Sequence, residues 1–136
     1  MPTEITGGCL CGAVRFSYDG AVGPASYCHC ADCRRATGGP FAVSVRLEAA
    51  RLSVTGDTAS HTKASDAGSP ITRHFCPACG SPLFTHTAGA PTAYVKAGAF
   101  DDPALVRPAL EIWTQSRVPW AQVPEGLEHH PRDRNG

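Results

Sequence analysis

The chain has 136 residues, 42% of them apolar, and its 12 basic and 12 acidic side chains give a formal net charge of zero. That length fits one domain, which would bury roughly two-thirds of the surface its unfolded chain exposes. No run of Lys or Arg is long enough to track a nucleic-acid backbone or an anionic membrane, and no apolar run approaches the ~20 residues of a spanning helix, so the expected partner is a small molecule.

The first residues, Met1-Pro2-Thr3-Glu4-Ile5, lack the basic start and apolar stretch of a secretory signal, and a cytoplasmic location is expected. Seven cysteines, an odd number in a reducing compartment, point to metal ligation rather than a disulfide framework. With 14 Gly and 12 Pro, the chain reads as short strands joined by turns, a mainly β fold.

Residues 6–18 read as one strand with Leu10, Val14, Phe16 and Tyr18 on one side. Cys9 and Cys11 share the other parity, and Asp19-Gly20 is the closing turn. A loop over residues 21–26 delivers Tyr27-Cys28-His29-Cys30-Ala31-Asp32-Cys33. On an extended backbone Cys28 and Cys30 point the same way, and a turn through Ala31-Asp32 brings Cys33 to them. Three thiols with no fourth ligand beside them form a soft-metal site with an open position, the arrangement of catalytic zinc. Beyond Arg34-Arg35, the backbone N–H groups of Gly38 and Gly39 are expected to face an anion as a carboxylate cradle.

Residues 41–47 alternate as a strand with Phe41, Val43, Val45 and Leu47 buried, and residues 51–54 form another. Residues 55–70, rich in Ser, Thr, Asp and Gly, read as an exposed loop with His61 on the surface. A strand over residues 71–75 runs into Cys76-Pro77-Ala78-Cys79-Gly80, the sequence form of a zinc knuckle. Residues 94–97 read as a strand, Asp101-Asp102-Pro103 as the start of a helical turn, and residues 111–113 as a late strand. Trp113 and Trp120 are expected in or beside the core. The domain is expected over residues 1–128, with residues 129–136 a frayed polar tail that leaves His129-His130 in solvent.

The thiols sort into pairs at Cys9/Cys11 and Cys76/Cys79, which together make one closed Cys₄ site, and an open triplet at Cys28, Cys30 and Cys33. Three alternatives stand beside this. A single zinc binds and the other thiols are merely buried; a histidine, His29, His74 or His86, closes the triplet; or Cys76/Cys79 is a redox dithiol. His29, between two same-side cysteines, should point away from them.

The stretches Gly7-Gly8-Cys9-Leu10-Cys11-Gly12, Tyr27-Cys28-His29-Cys30-Ala31-Asp32-Cys33-Arg34, Thr37-Gly38-Gly39-Pro40-Phe41, Phe75-Cys76-Pro77-Ala78-Cys79-Gly80, Glu111-Ile112-Trp113 and Arg117-Val118-Pro119-Trp120 span nearly the whole chain. In these the chain resembles the glutathione-dependent formaldehyde-activating and centromere-protein-V-like family. The resemblance implies an Mss4-like fold of small stacked antiparallel sheets and two zinc ions per chain. Cys9, Cys11, Cys76 and Cys79 would hold the structural ion; Cys28, Cys30 and Cys33 would hold the open, catalytic one. It also implies a carbon–sulfur lyase type of reaction on a glutathione or other thiol adduct, such as formation of S-hydroxymethylglutathione. Arg34, Arg35, Lys96 and Arg117 are candidates for the substrate carboxylates, beside Gly38 and Gly39. The alternative function is a non-catalytic zinc module that binds a protein or a thiol ligand.

Overall fold

Gly12, at φ +82°, breaks the first expected strand in two. In the computed structural model, which describes residues 4–134, β1 (Ile5–Gly8) and β2 (Arg15–Tyr18) form an antiparallel hairpin around a turn that carries Cys9 and Cys11. Leu10, expected on the apolar side, stands at the tip of that turn and is 88% exposed, whereas Val14, Phe16 and Tyr18 are buried. The hairpin register pins Gly7 opposite Phe16 and against the backbone of Ala99. A Cβ at Gly7 would lie 2.2 Å from the Ala99 carbonyl oxygen and 2.4 Å from the Phe16 ring. We expect Gly7→Ala to cost about 2–3 kcal/mol, read as a lowered melting temperature, because neither the carbonyl nor the ring has room to retreat.

The chain continues through β3 (Ala25–Cys28), the short helix α1 (Ala31–Thr37), β4 (Ala42–Glu48) and β5 (Leu52–Thr55). Next come β6 (Ala59–Ala64), β7 (Pro70–Phe75), β8 (Pro82–His86), β9 (Thr92–Lys96), β10 (Pro108–Ile112) and the two-residue β11 (Glu128–His129). β5 joins the first hairpin in a three-stranded sheet of order β1-β2-β5. The other strands form an eight-stranded sheet of order β11-β10-β3-β4-β9-β8-β7-β6.

The fold is mainly β, as expected from the glycine and proline content, and the core lies where the sheets stack. Phe16 and Tyr18 of the small sheet join Val45, Leu47, Leu83 and Val95 of the large one. Phe100 meets Phe16 edge to face at 5.4 Å, a favoured aromatic arrangement. Two pairings, β3 with β10 and β10 with β11, are parallel rather than antiparallel. These strands are joined by long excursions instead of hairpins, so the connection does not force them to reverse.

Three other expectations are corrected. Residues 59–64 are a strand rather than part of a loop. As an edge strand that is exposed almost throughout, β6 has no buried face and so shows no apolar alternation. Trp113 is buried, but Trp120 is 70% exposed. The segment after Glu128 is not frayed: the Trp113 N–H donates to the Arg132 carbonyl, the His130 N–H donates to the Glu111 carbonyl, and β11 adds to the sheet edge. His129 is exposed as expected, and Asn135 and Gly136 lie outside the described residues.

Candidate functional site

Both cysteine pairs sit on the same kind of tight turn. At the first, the Gly12 N–H donates to the Cys9 carbonyl and the Val14 N–H to Cys9 Sγ at 3.3 Å. At the second, the Gly80 N–H donates to the Cys76 carbonyl and the Cys79 N–H to Cys76 Sγ at 3.4 Å. Gly80, at φ +79°, makes the turn that Gly12 makes in the other knuckle.

Backbone N–H groups aimed at sulfur favour the thiolate that a metal needs. Cys79 is drawn down to about 5, chiefly by the Ser81 hydroxyl and N–H. The four Sγ atoms of Cys9, Cys11, Cys76 and Cys79 lie within 4.8 Å of one another, with Cys9–Cys11 at 3.7 Å and Cys11–Cys76 at 3.8 Å. A tetrahedron with metal–sulfur bonds of about 2.3 Å has sulfur–sulfur edges of about 3.8 Å, so this donor set fits an ion of zinc's size.

The triplet is built differently. Cys28 ends β3, Cys30 is the N-cap of α1 and accepts the Cys33 N–H at 3.2 Å, and Cys33 lies inside the helix. The expected turn through Ala31-Asp32 is therefore the first turn of a helix. The three sulfurs lie within 4.8 Å of one another. Cys33 is held down to about 3, first by the Cys28 and Cys30 thiols that hydrogen-bond to it, then by the charges of Lys96 and Arg73.

These thiols open onto a cleft of about 330 Å³. Its floor is one face of the large sheet, formed by the paired Ser26 and Ser44, the paired Ser44 and Lys96, and Tyr94, Thr85 and Arg73 in successive register. The opposite face, with Val43, Val45 and Val95, belongs to the core. Lys96 Nζ donates to Ser44 Oγ at 3.3 Å, and burial pushes its pKa down, against the Cys33 charge that raises it. Arg73 Nε is buried with no hydrogen-bond partner among the described residues. Two inward cations with so little satisfaction mark a place where an anion belongs. A larger cavity, about 710 Å³ beside β1 and Leu105, holds no thiol.

The family model for glutathione-dependent formaldehyde-activating enzyme matches residues 4–116. The chain belongs to this family. It is similar to a Halomonas elongata protein of the same family name, 32% identical over 131 residues that cover 88% of this chain and 80% of that protein. It is also similar in fold to a Rhodobacter sphaeroides protein of known crystal structure, with a TM-score of 0.56 at 22% identity, covering 71% of this chain and 87% of that one.

Within this family framework the structure sorts the expected ligand-binding residues. Lys96 is in the cleft. Arg34 and Arg35 on α1, and Gly38 and Gly39 after it, are not among the residues that line it. Nor do the two glycines have N–H groups to spare. Gly38, at φ +78°, caps α1 by donating to the Arg34 carbonyl at 2.9 Å, and the Gly39 N–H meets Thr37 Oγ1. The carboxylate cradle is thus a helix C-cap. Among the described residues no histidine joins the triplet. His74 stacks on Phe84, His86 Nε2 meets the Ala90 carbonyl, and His29 turns away as its parity requires.

Arg73 was missed, although its place two residues before Phe75 in an expected strand carried the signal: Ile71 and Arg73 share one face, and both line the cleft. Asp32 of α1 takes the Lys63 ammonium through both oxygens at 2.9 Å, tying the helix that carries Cys33 to the outer β6 strand.

Arg117 has another task. Buried Glu111 accepts from His29 Nε2 at 2.9 Å and from Arg117 Nη2 at 2.8 Å and Nε at 3.2 Å. His29 lies between two cysteines of the triplet, so this trio fixes the cysteine-bearing segment against β10. Burial alone would raise the Glu111 pKa, but Arg117 and His29 hold it below the usual carboxylate range. A depressed carboxylate adds stability above its unfolded pKa and loses it as pH falls through the lower folded value. We expect Glu111→Ala to cost about 3 kcal/mol at neutral pH, with the gap to wild type narrowing below about pH 4.5, in melts run across that range.

Proposed function

We propose that the chain joins a thiol of the glutathione class to formaldehyde, with zinc at both cysteine groups. Cys9, Cys11, Cys76 and Cys79 hold one ion in a closed, purely structural set, and Cys28, Cys30 and Cys33 hold the other with a position left open. A zinc ion held by Cys28, Cys30 and Cys33 would supply the charge that keeps a substrate thiol ionised at neutral pH. The observation that carries this reading is the convergence of three thiols from one short stretch at a cleft whose two inward cations, Lys96 and Arg73, form no salt bridge with a carboxylate among the described residues.

The cations set the charge balance. Three cysteine thiolates and a divalent ion sum to one negative charge, and a substrate thiolate makes two. Lys96 and Arg73 offset both, so the cleft favours a fourth sulfur anion over a neutral ligand. When the substrate sulfur attacks the aldehyde carbon, a carbon–sulfur bond forms and the π pair of the carbonyl moves to oxygen. That oxygen takes a proton from Lys96 Nζ, an ammonium whose pKa burial has already lowered, and Ser44 Oγ orients the donor. Ile112 and the buried Trp113 line the same cleft and limit the water that reaches it.

We expect Lys96→Met to slow adduct formation about a hundredfold while leaving metal content unchanged, measured as formaldehyde–glutathione exchange by NMR. Exchange no faster with the wild-type protein than without it would contradict the proposed activity. Seven unpaired thiols suit a reducing cytoplasm, and among the described residues no helix is long and apolar enough to cross a membrane.

A further inference from the structure

The family match ends at residue 116, yet one wall of the cleft comes from beyond it. Trp113, just inside the match, anchors this wall. It is the one non-glycine among the described residues with positive φ, at φ +56° and ψ +39°, a conformation that costs a bulky side chain energy and is kept where the surroundings enforce it. The bend turns its N–H to the Arg132 carbonyl at 2.9 Å, while the Thr114 and Gln115 N–H groups meet the His130 and Pro131 carbonyls. The Arg132 guanidinium lies 5.4 Å from the Trp113 ring centre, and that of Arg134 lies 5.6 Å from the Tyr94 ring centre. Both are within the range of a cation–π contact. Residues 130–134 are thus strapped back over the sheet, and Asp133 and Arg134 line the cleft with Cys28, Cys30, Cys33, Lys96 and Arg73.

Resting on the thiol reading above, we propose that this strap is the specificity element of the site, and that Arg134 recognises a carboxylate on the thiol whose sulfur enters at Cys28, Cys30 and Cys33. The charges facing Arg134 support it. Asp133 already accepts the Arg134 N–H at 2.7 Å through Oδ1, and no ion pair joins its carboxylate to the guanidinium among the described residues. The cation–π contact with Tyr94 holds the guanidinium over the ring, and its nitrogens make no hydrogen bond or ion pair among the described residues, so donors able to form paired hydrogen bonds to a carboxylate are left for a ligand. Lys96 and Arg73 lie beside the thiols and are matched to sulfur charge, so a carboxylate carried at the far end of the ligand falls to the strap.

Calorimetric titration of the zinc-loaded protein with glutathione and with its diethyl ester tests this, because the two share the thiol and the peptide backbone and differ in that the ester masks both carboxylates. Wild type should bind glutathione roughly tenfold more tightly than the ester. Arg134→Gln should erase that preference by weakening glutathione alone, with the ester affinity and the melting temperature unchanged, and Arg134→Lys should restore part of it. A preference for glutathione that survives in Arg134→Gln, or equal binding of both thiols by wild type, overturns the assignment and leaves the thiol reading intact. If wild type binds neither thiol, the thiol reading fails and the assignment with it.

Discussion

Cys79→Ser should give a chain that does not fold. The reason is what its metal closes. Cys11 and Cys76 are 65 residues apart in sequence, yet their sulfurs lie 3.8 Å apart, so an ion held there would tie the first hairpin to the turn after β7. A structural zinc of this kind contributes roughly 10–16 kcal/mol of apparent binding energy, most of which is folding energy. A domain's whole net stability is about 5–15 kcal/mol. Serine keeps the shape of the turn and its contact with Ser81 but is a poor ligand for a soft ion. The expected readout is loss of the cooperative melt together with loss of both metal ions; a folded Cys79→Ser chain with a normal melt would show that the hairpin packs without the knuckle.

Cys30→Ser should do the opposite, leaving the fold and removing the function. Cys30 is the N-cap of α1, where its sulfur accepts the Cys33 N–H, and serine is among the best residues for that position. The helix start therefore survives the substitution, while the metal loses one of only three protein ligands. The triplet spans six residues running from the end of β3 into α1, so a metal held there would add little loop-closure stabilisation. The variant should melt within a few degrees of wild type, carry about one zinc instead of two, and show no exchange above background. If Cys30→Ser unfolds as completely as Cys79→Ser, the triplet is a second structural site.

The sequence made the two cysteine groups legible because their spacing is local: Cys-x-Cys and Cys-x-x-Cys show themselves without any knowledge of the fold, as did the inward parity of Val43, Val45 and Leu47. What it hid depends on partners far along the chain. α1 has only seven residues, too short for a helical period to show, and its first turn mimics a simple reversal. The Gly38-Gly39 pair reads equally well as an anion nest or a helix cap, and only the Arg34 carbonyl decides between them. β6 takes its place from pairing with β7, since its side chains face solvent. Arg117 and Arg73 look alike in sequence, but one neutralises buried Glu111 and the other faces the cleft. The docked segment 128–134 is polar by composition and ordered by its carbonyls, which no apolar pattern reports.

The central claim, that the triplet holds a metal with room for a substrate sulfur, is tested most directly in the cobalt-substituted protein. Zinc is spectroscopically silent, whereas cobalt in a sulfur-rich site absorbs according to its ligands. Titration with glutathione should shift the visible spectrum of one of the two cobalt ions, saturate at one thiol per chain, and leave the Cys₄ ion unchanged. A spectrum that glutathione does not alter, with two cobalt ions bound, would contradict it.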